Sequence, residues 1–250
     1  MKYLASLHAL FARWIEKWHE CTWRSSGKRP SIRKSDGDDV HDFVPPCFRQ
    51  AAMTNISRLA NFVADAARIV ESGSGEAAIV AELSPKLKAL VSVDDWLPAA
   101  YAVADGKAYQ QHLLYADPLD RFSVVSFVWG PGQGTPIHDH RVWGLVGVLR
   151  GEEISVSYAR SGDGSLEAGP AERLPQGSVG AVSPDIGDIH AISNGLPDRS
   201  SISIHVYGGN IGTIRRSIFD ARTGSARDFI SGYSNEAVPN LWLRRQAETA

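Results

Sequence analysis

The chain has 250 residues, 43% of them hydrophobic and 22% charged, with a formal net charge of −2 and a pI near 6.4. Such a length buries one sizeable core, or a core with a small appendage; the charge offers no electrostatic basis for binding nucleic acid or an anionic membrane, and no apolar run approaches the roughly 20 residues that span a bilayer. Both cysteines, Cys21 and Cys47, lie early in the chain. This excludes a disulfide framework, leaves any metal further along to nitrogen or oxygen ligands, and leads us to expect a cytoplasmic protein acting on something small.

Residues 1–52 are read as an N-terminal extension. Leu4, Leu7, Leu10, Phe11, Trp14, Ile15 and Trp18 recur at roughly helical spacing, and the basic, Ser- and Gly-containing stretch SSGKRPSIRKSDGDD behind them has little to pack. An amphipathic helix followed by a mobile linker is the expectation. A secretory leader is the alternative, but His8, Arg13, Glu16 and Lys17 interrupt the apolar stretch early and no small-residue cleavage site follows. Met53 stands directly before a clean helical pattern, so the first 52 residues also fit an extension ahead of a natural start.

The folded domain is expected over residues 53–250. Ile56, Leu59, Phe62, Val63, Ala66 and Val70 form one helical stripe with Thr54 or Asn55 as cap, and Ser72-Gly73-Ser74-Gly75 ends it. A second helix is expected from about Glu76, re-initiated at Ser84-Pro85, and closed by the Asp94–Pro98 stretch. Beyond Tyr109 the period shifts to two. Short β-rich runs cover Phe122–Trp129, Val142–Leu149, Ile154–Tyr158, Val179–Val182, His190–Ser193 and Ile202–Tyr207, with a last hairpin about Ala221–Gly224. Many short, evenly spaced strands imply a mainly β barrel or sandwich behind a helical N-terminal cap.

Eight histidines are scattered along the chain, and an ordinary core or surface role suffices for His8, His19 and His41. His138 and His140 differ. Two residues apart on a strand, their rings leave the same face with Asp139 turned away, directly after a turn, so both can reach one metal ion. His190, at the start of a later strand, is the candidate for the third ligand.

These residues resemble the two motifs of the cupin superfamily. Gly132, His138, His140, Gly144 and Gly151 match the spacing of the first, except that glycine stands at 144 where the motif has glutamate. Pro184, Gly187, His190 and Asn194 match the second, with one extra residue between the proline and the glycine. The resemblance implies a jelly-roll (double-stranded β-helix) barrel. Without the glutamate it implies a neutral three-His site for one Fe(II) per chain, with positions open to a substrate and dioxygen. Within cupins the chain resembles the thiol dioxygenases, that is, the cysteine dioxygenase family and especially its bacterial 3-mercaptopropionate dioxygenase branch. This likeness runs from about Met53 to Asp220 and is most specific between Tyr109 and Arg216.

In Ser201–Tyr207 strict alternation puts Ser203, His205 and Tyr207 on one face and β-branched residues on the other. They match the family's Ser-His-Tyr relay one for one: the tyrosine hydroxyl serves substrate or oxygen, the histidine orients it, and the serine sets the histidine tautomer. Mammalian cysteine dioxygenases bind the substrate carboxylate with an arginine where Gln111 stands here, in Tyr109-Gln110-Gln111-His112-Leu113. An amide lacks that charged fork, and glutamine resembles the 3-mercaptopropionate branch. Arg216 is then the expected carboxylate ligand, with Arg215 as the alternative, since alternation turns only one of the pair inward. Gly144 also occupies the region of the cysteine that crosslinks to the tyrosine in mammalian members, so Tyr207 is expected unmodified. Trp129 and Trp143 are candidate pocket walls or simply core.

The expected activity is therefore oxidation of a small thiol carboxylate to its sulfinate by dioxygen at Fe(II). 3-Mercaptopropionate is the preferred substrate and cysteine the runner-up. A Zn or Ni cupin isomerase or hydrolase, and a non-catalytic small-molecule-binding cupin, are the alternatives from other classes. The former often needs the missing glutamate, and no basic recognition helix accompanies the barrel for a DNA-linked sensor.

Overall fold

The computed structural model describes residues 55–235. The expected N-terminal amphipathic helix and linker lie outside the described residues. Two helices come first, α1 (Ser57–Glu71) and α2 (Glu76–Val91), followed by a short 3-10 turn at Ala99–Tyr101. The strands are β1 (Gln110–Ala116), β2 (Ser123–Trp129), β3 (Gly144–Arg150), β4 (Glu152–Arg160), β5 (Leu166–Pro175), β6 (Val179–Val182), β7 (His190–Asn194), β8 (Ser201–Tyr207), β9 (Arg216–Phe219) and β10 (Ala226–Phe229).

One antiparallel sheet has the order β1-β2-β8-β3-β6. Opposite it, β5-β4-β7 and the hairpin β9-β10 are joined through an extended segment that carries His138. His138 pairs with His190 of β7 on one side and Ile218 of β9 on the other, which makes the two pieces one layer. Two antiparallel layers wrapped in this way, with helices on the outer face of the first, form the cupin jelly roll with a helical cap.

The five-stranded sheet is buried on both faces, and its period of two sorts side chains between two cores. Val124 and Val128 of β2 and Ile202, Ile204 and Val206 of β8 face α1 and α2, meeting Leu59, Phe62, Leu83, Leu87 and Trp96. The alternate residues Val125, Phe127, Trp129 and Tyr207 face the barrel interior with Ile192. Trp96 is fully buried, and its indole N–H donates to the Leu90 carbonyl at 3.0 Å, which pins the chain after α2.

Several expectations need correction. Helix α2 is continuous through Pro85, and Ser84 does not cap a new start: its hydroxyl donates to the Val80 carbonyl at 2.6 Å, within the preceding turn. Neither does Asn55 cap α1. The residue before the helix is Ile56, in helical geometry and without a side-chain cap. The His138-Asp139-His140 stretch is not a regular strand but an extended segment held by isolated bridges. The strand expected from Val142 begins at Gly144, because Arg141 adopts a positive φ of 59°. β1 and β5 were not among the expected runs. β5 is exposed along almost all of its length and contains Gly169 and Pro170, so no apolar alternation marks it.

Gly147 of β3 is where the cap meets the sheet most closely. A Cβ there would lie 2.9 Å from Leu87 Cγ and 3.0 Å from Val91 Cγ1, both on α2. Gly147→Val should therefore lift α2 from the sheet and cost about 1–3 kcal/mol, as overpacked cores do. The measurement is the urea unfolding midpoint, and an unchanged midpoint would refute this close seating.

Candidate metal centre

His138, His140 and His190 converge, all buried, with ligand nitrogens within 4.8 Å of one another. Their ring centroids form a nearly equilateral triangle with sides of 4.8, 4.9 and 4.9 Å. Backbone pairing sets this up: the His138 N–H donates to the His190 carbonyl at 2.9 Å and the His190 N–H donates back at 3.0 Å. Asp139 turns the other way, and its carboxylate accepts from the Ser217 N–H at 2.7 Å.

The donor set fits a metal ion. His140 Nδ1 is 2.8 Å from the Asp188 carboxylate, which leaves Nε2 buried without a protein partner. His138 Nδ1 is 3.0 Å from the Pro136 carbonyl, an acceptor only, so that nitrogen carries the proton and Nε2 holds the lone pair. Burial, and then the neighbouring His140, push His138 down to about 3. Burial first, then His140 and His138, hold His190 well below the usual histidine range. Both rings thus stay neutral and ready to donate lone pairs at any ordinary pH.

Asp188 is the residue that sequence reasoning missed. It accepts not only from the His140 ring but also from the backbone N–H groups of His140 and Arg141, at 2.9 and 2.8 Å. Burial works to raise its pKa, yet the bonds to His140 and Arg141 outweigh it and hold the carboxyl below its ordinary value. A carboxylate behind a ligating imidazole fixes ring orientation and raises ligand basicity. Its sequence signal was an acidic residue two before the third histidine.

Ser203, His205 and Tyr207 share the inner face of β8. Ser203 Oγ is 2.8 Å from His205 Nε2, and His205 Nδ1 is 2.8 Å from the Tyr207 hydroxyl. Burial, then the charges that His140 and His138 would carry, keeps His205 neutral; burial also pushes the Tyr207 phenol up, so it stays protonated. The Tyr207 ring stacks on His140, with centroids 5.4 Å apart. It also lies against Gly144, where a Cβ would come within 2.9 Å of Tyr207 Cδ1 and 3.0 Å of Val182 Cγ2. Glycine at the place of the motif's glutamate therefore makes room for this tyrosine.

A cavity of about 430 Å³ opens on His138, His190, His205 and Tyr207 and reaches Gln111 and Arg216. Arg216 is buried there. One of its guanidinium nitrogens donates to Ser231 Oγ at 2.7 Å, its Cζ lies 4.6 Å above the Phe229 ring, and its Nε has no hydrogen-bond partner. Gln111 donates to the same Ser231 hydroxyl at 3.2 Å and to the Gly232 carbonyl at 3.1 Å. Arg215 points away, exposed and 3.7 Å from Asp228. Trp129 lines the cavity, whereas Trp143 belongs to the core under the helices.

Comparison with known proteins gives a match to the family model described as cysteine dioxygenase type I over residues 49–222. Among solved structures, a conserved double-stranded β-helix protein from Klebsiella pneumoniae is 22% identical, covering 46% of this chain and 89% of its own, with a TM-score of 0.35. An RmlC-like cupin protein from Desulfovibrio desulfuricans is 21% identical, covering 43% and 88%, with a TM-score of 0.33. A cupin superfamily protein from Desulfitobacterium hafniense is 17% identical, covering 47% and 94%, with a TM-score of 0.36.

If Asp188 orients His140, Asp188→Asn should weaken divalent metal binding about 10–100-fold, the range seen for such supporting carboxylates. A competition titration against a chromophoric chelator measures it. Affinity equal to that of the unaltered chain would remove Asp188 from the site.

Proposed function

Because the chain belongs to the cysteine dioxygenase type I family, we propose that it is an Fe(II)-dependent thiol dioxygenase that converts 3-mercaptopropionate to its sulfinate. The observation that carries this reading is the buried triangle of His138, His140 and His190 at the end of a cavity whose other wall holds Arg216. When bound, the iron supplies a Lewis-acidic centre that favours thiolate over thiol and brings it together with dioxygen. The overall change is RSH + O2 → RSO2⁻ + H⁺: sulfur is oxidised, dioxygen is reduced, both oxygen atoms end on sulfur, and one proton remains to be carried away.

The chain's own residues then bind, orient and manage that proton. Arg216 meets the substrate carboxylate; Ser231 and Phe229 hold its guanidinium, and Nε is free to add a bond. Gln111, tied to the same serine, supports that wall. Tyr207 presents its hydroxyl to the reacting end, oriented by His205 and, through it, by Ser203. The apolar neighbours Phe127 and Trp129 exclude water along the cavity.

Substrate choice follows from charge. No Asp or Glu lines the cavity among the described residues, so an α-ammonium group finds no carboxylate partner there. A thiol with a carboxylate and no ammonium suits such a wall better than cysteine does. The reaction takes place in the cytoplasm on small diffusible partners, thiol and dioxygen, without nucleic acid or membrane.

The test is oxygen uptake by the Fe(II)-reconstituted full-length chain with 3-mercaptopropionate, cysteine and cysteamine. We expect turnover to fall in that order. Arg216→Gln should raise KM for 3-mercaptopropionate at least 10-fold, since a hydrogen-bonded charge pair is worth roughly 1.5–3 kcal/mol, and should leave cysteamine unaffected. No thiol-dependent uptake by iron-loaded protein would end the dioxygenase reading. Faster turnover of cysteine would overturn only the substrate.

A further inference from the structure

A buried acid stands behind the Ser203-His205-Tyr207 chain and has no part in the proposed chemistry so far. Glu153 of β4 is 0% exposed and faces Ser203 and Ser201 of β8 and the indole of Trp129 on β2. No hydrogen bond of ordinary geometry reaches either of its carboxyl oxygens, and the Ser201 hydroxyl beside it is unpartnered as well. Opposite it in register are Asn194 of β7 and Leu174 of β5, neither of them charged. The titratable groups joined to Ser203 by hydrogen bonds are His205 and, beyond it, Tyr207.

We propose that Glu153 is the inner end of a four-residue proton relay, Glu153–Ser203–His205–Tyr207, and that its protonation state sets the direction in which the Tyr207 hydroxyl donates.

The donor and acceptor count of Ser203 leads to this. Its oxygen has two lone pairs and one proton, and the Trp129 N–H, at 3.2 Å, always occupies one lone pair. With Glu153 protonated, the carboxyl O–H takes the other lone pair, and Ser203 donates to His205 Nε2. His205 then carries its proton on Nδ1 and donates it to Tyr207, whose own O–H is free to point into the cavity. With Glu153 ionised, Ser203 donates to the carboxylate and accepts from His205 Nε2–H. His205 Nδ1 then accepts the tyrosine proton, and Tyr207 offers the cavity a lone pair.

The two arrangements differ by one proton. Both need the Glu153 carboxyl to close on Ser203 Oγ by a small side-chain shift, since no bond of ordinary geometry joins them at rest; Ser203, His205 and Tyr207 are already in hydrogen-bond contact. The second passes to the first along these contacts. A proton from the cavity attaches to the Tyr207 oxygen, the phenolic proton passes to Nδ1, the Nε2 proton to Ser203, and the serine proton to Glu153. Each bridging residue gains one proton and loses one, so the net gain is at Glu153 and the His205 tautomer inverts. Burial, opposed by Ser203, Trp129 and Ser201, raises Glu153 from 4.5 to about 8, so either form is accessible near neutrality. Resting on the thiol dioxygenase reading, the relay's use is to accept the S–H proton that the overall reaction leaves over; the relay itself does not depend on that reading.

The tautomer of His205 tests the relay without iron or thiol. The full-length chain, labelled with ¹⁵N-histidine and supplied with zinc(II), is followed by long-range ¹H–¹⁵N correlation as pH crosses about 8; His205 is assigned by the signal lost in His205→Gln. The proton should sit on Nδ1 below the midpoint and shift to Nε2 above it. In Glu153→Gln the amide does not titrate, so His205 should keep one tautomer throughout. In Ser203→Ala, which covers the case of a poorly folded Glu153 variant, the switch should be lost. One unchanging tautomer in the native chain, or a switch that survives in Glu153→Gln or Ser203→Ala, overturns the proposal. In the iron-loaded enzyme, the break in kcat near that midpoint should vanish in Glu153→Gln, and its persistence there would also overturn it. Failure of the oxygen-uptake assay alone would leave the relay standing and remove only its use.

Discussion

Two backbone hydrogen bonds exchanged by His138 and His190 hold together both the metal site and the second layer of the barrel. The segment carrying His138 and His140 lies between β7 and β9, too short and too sharply turned at Arg141 to count as a strand. It still closes the gap between those strands. A residue facing both neighbours cannot slip in register without losing pairing on each side, and a slip of one residue would turn both histidines away from the cavity. The ligand geometry is therefore a property of the layer rather than of a flexible loop, which is how a site keeps its shape before anything binds.

The other half of the site depends on a sheet that has no solvent face. Because helices cover the outer side of β8, its β-branched residues are needed there for packing, and the inner side is free to carry polar groups. Buried polar groups are costly unless they satisfy one another. Ser203, His205 and Tyr207 do so along a single strand at successive 2.8 Å contacts. The helical cap thus supports the chemistry although it touches none of it.

Patterns that depend only on near neighbours were legible in the sequence. The α1 stripe, the alternation of β8 and the spacing of the histidines each follow from one periodicity: the structure buries Leu59, Phe62, Val63 and Ala66, sorts β8 between two cores and brings the histidines together, although their segment is not a regular strand. Asp188 and Glu153 were not legible in that way, because a carboxylate beside a turn or in a charged strand reads as a solvent-facing group. Only the fold shows that the first lies behind His140 and the second behind Ser203. β5 escaped because an exposed edge needs no apolar alternation. The choice of Arg216 over Arg215 rested on a family resemblance, since parity says only that one of the two faces inward. The structure settles their placement through Ser231, Gly232 and Ser234, a stretch without pattern that ties Gln111 and Arg216 into one wall.

The contact between Gly144 and Tyr207 bears on how such sites can change. Glutamate at 144 would collide with the tyrosine ring, whereas glycine at 144 without the tyrosine would leave a hole beside His140. Either substitution alone therefore gives an intermediate worse than both ends, overpacked in one order and underpacked in the other. The two positions are thus coupled through packing, and a change at 144 is passed through the tyrosine ring to the stacked imidazole of His140.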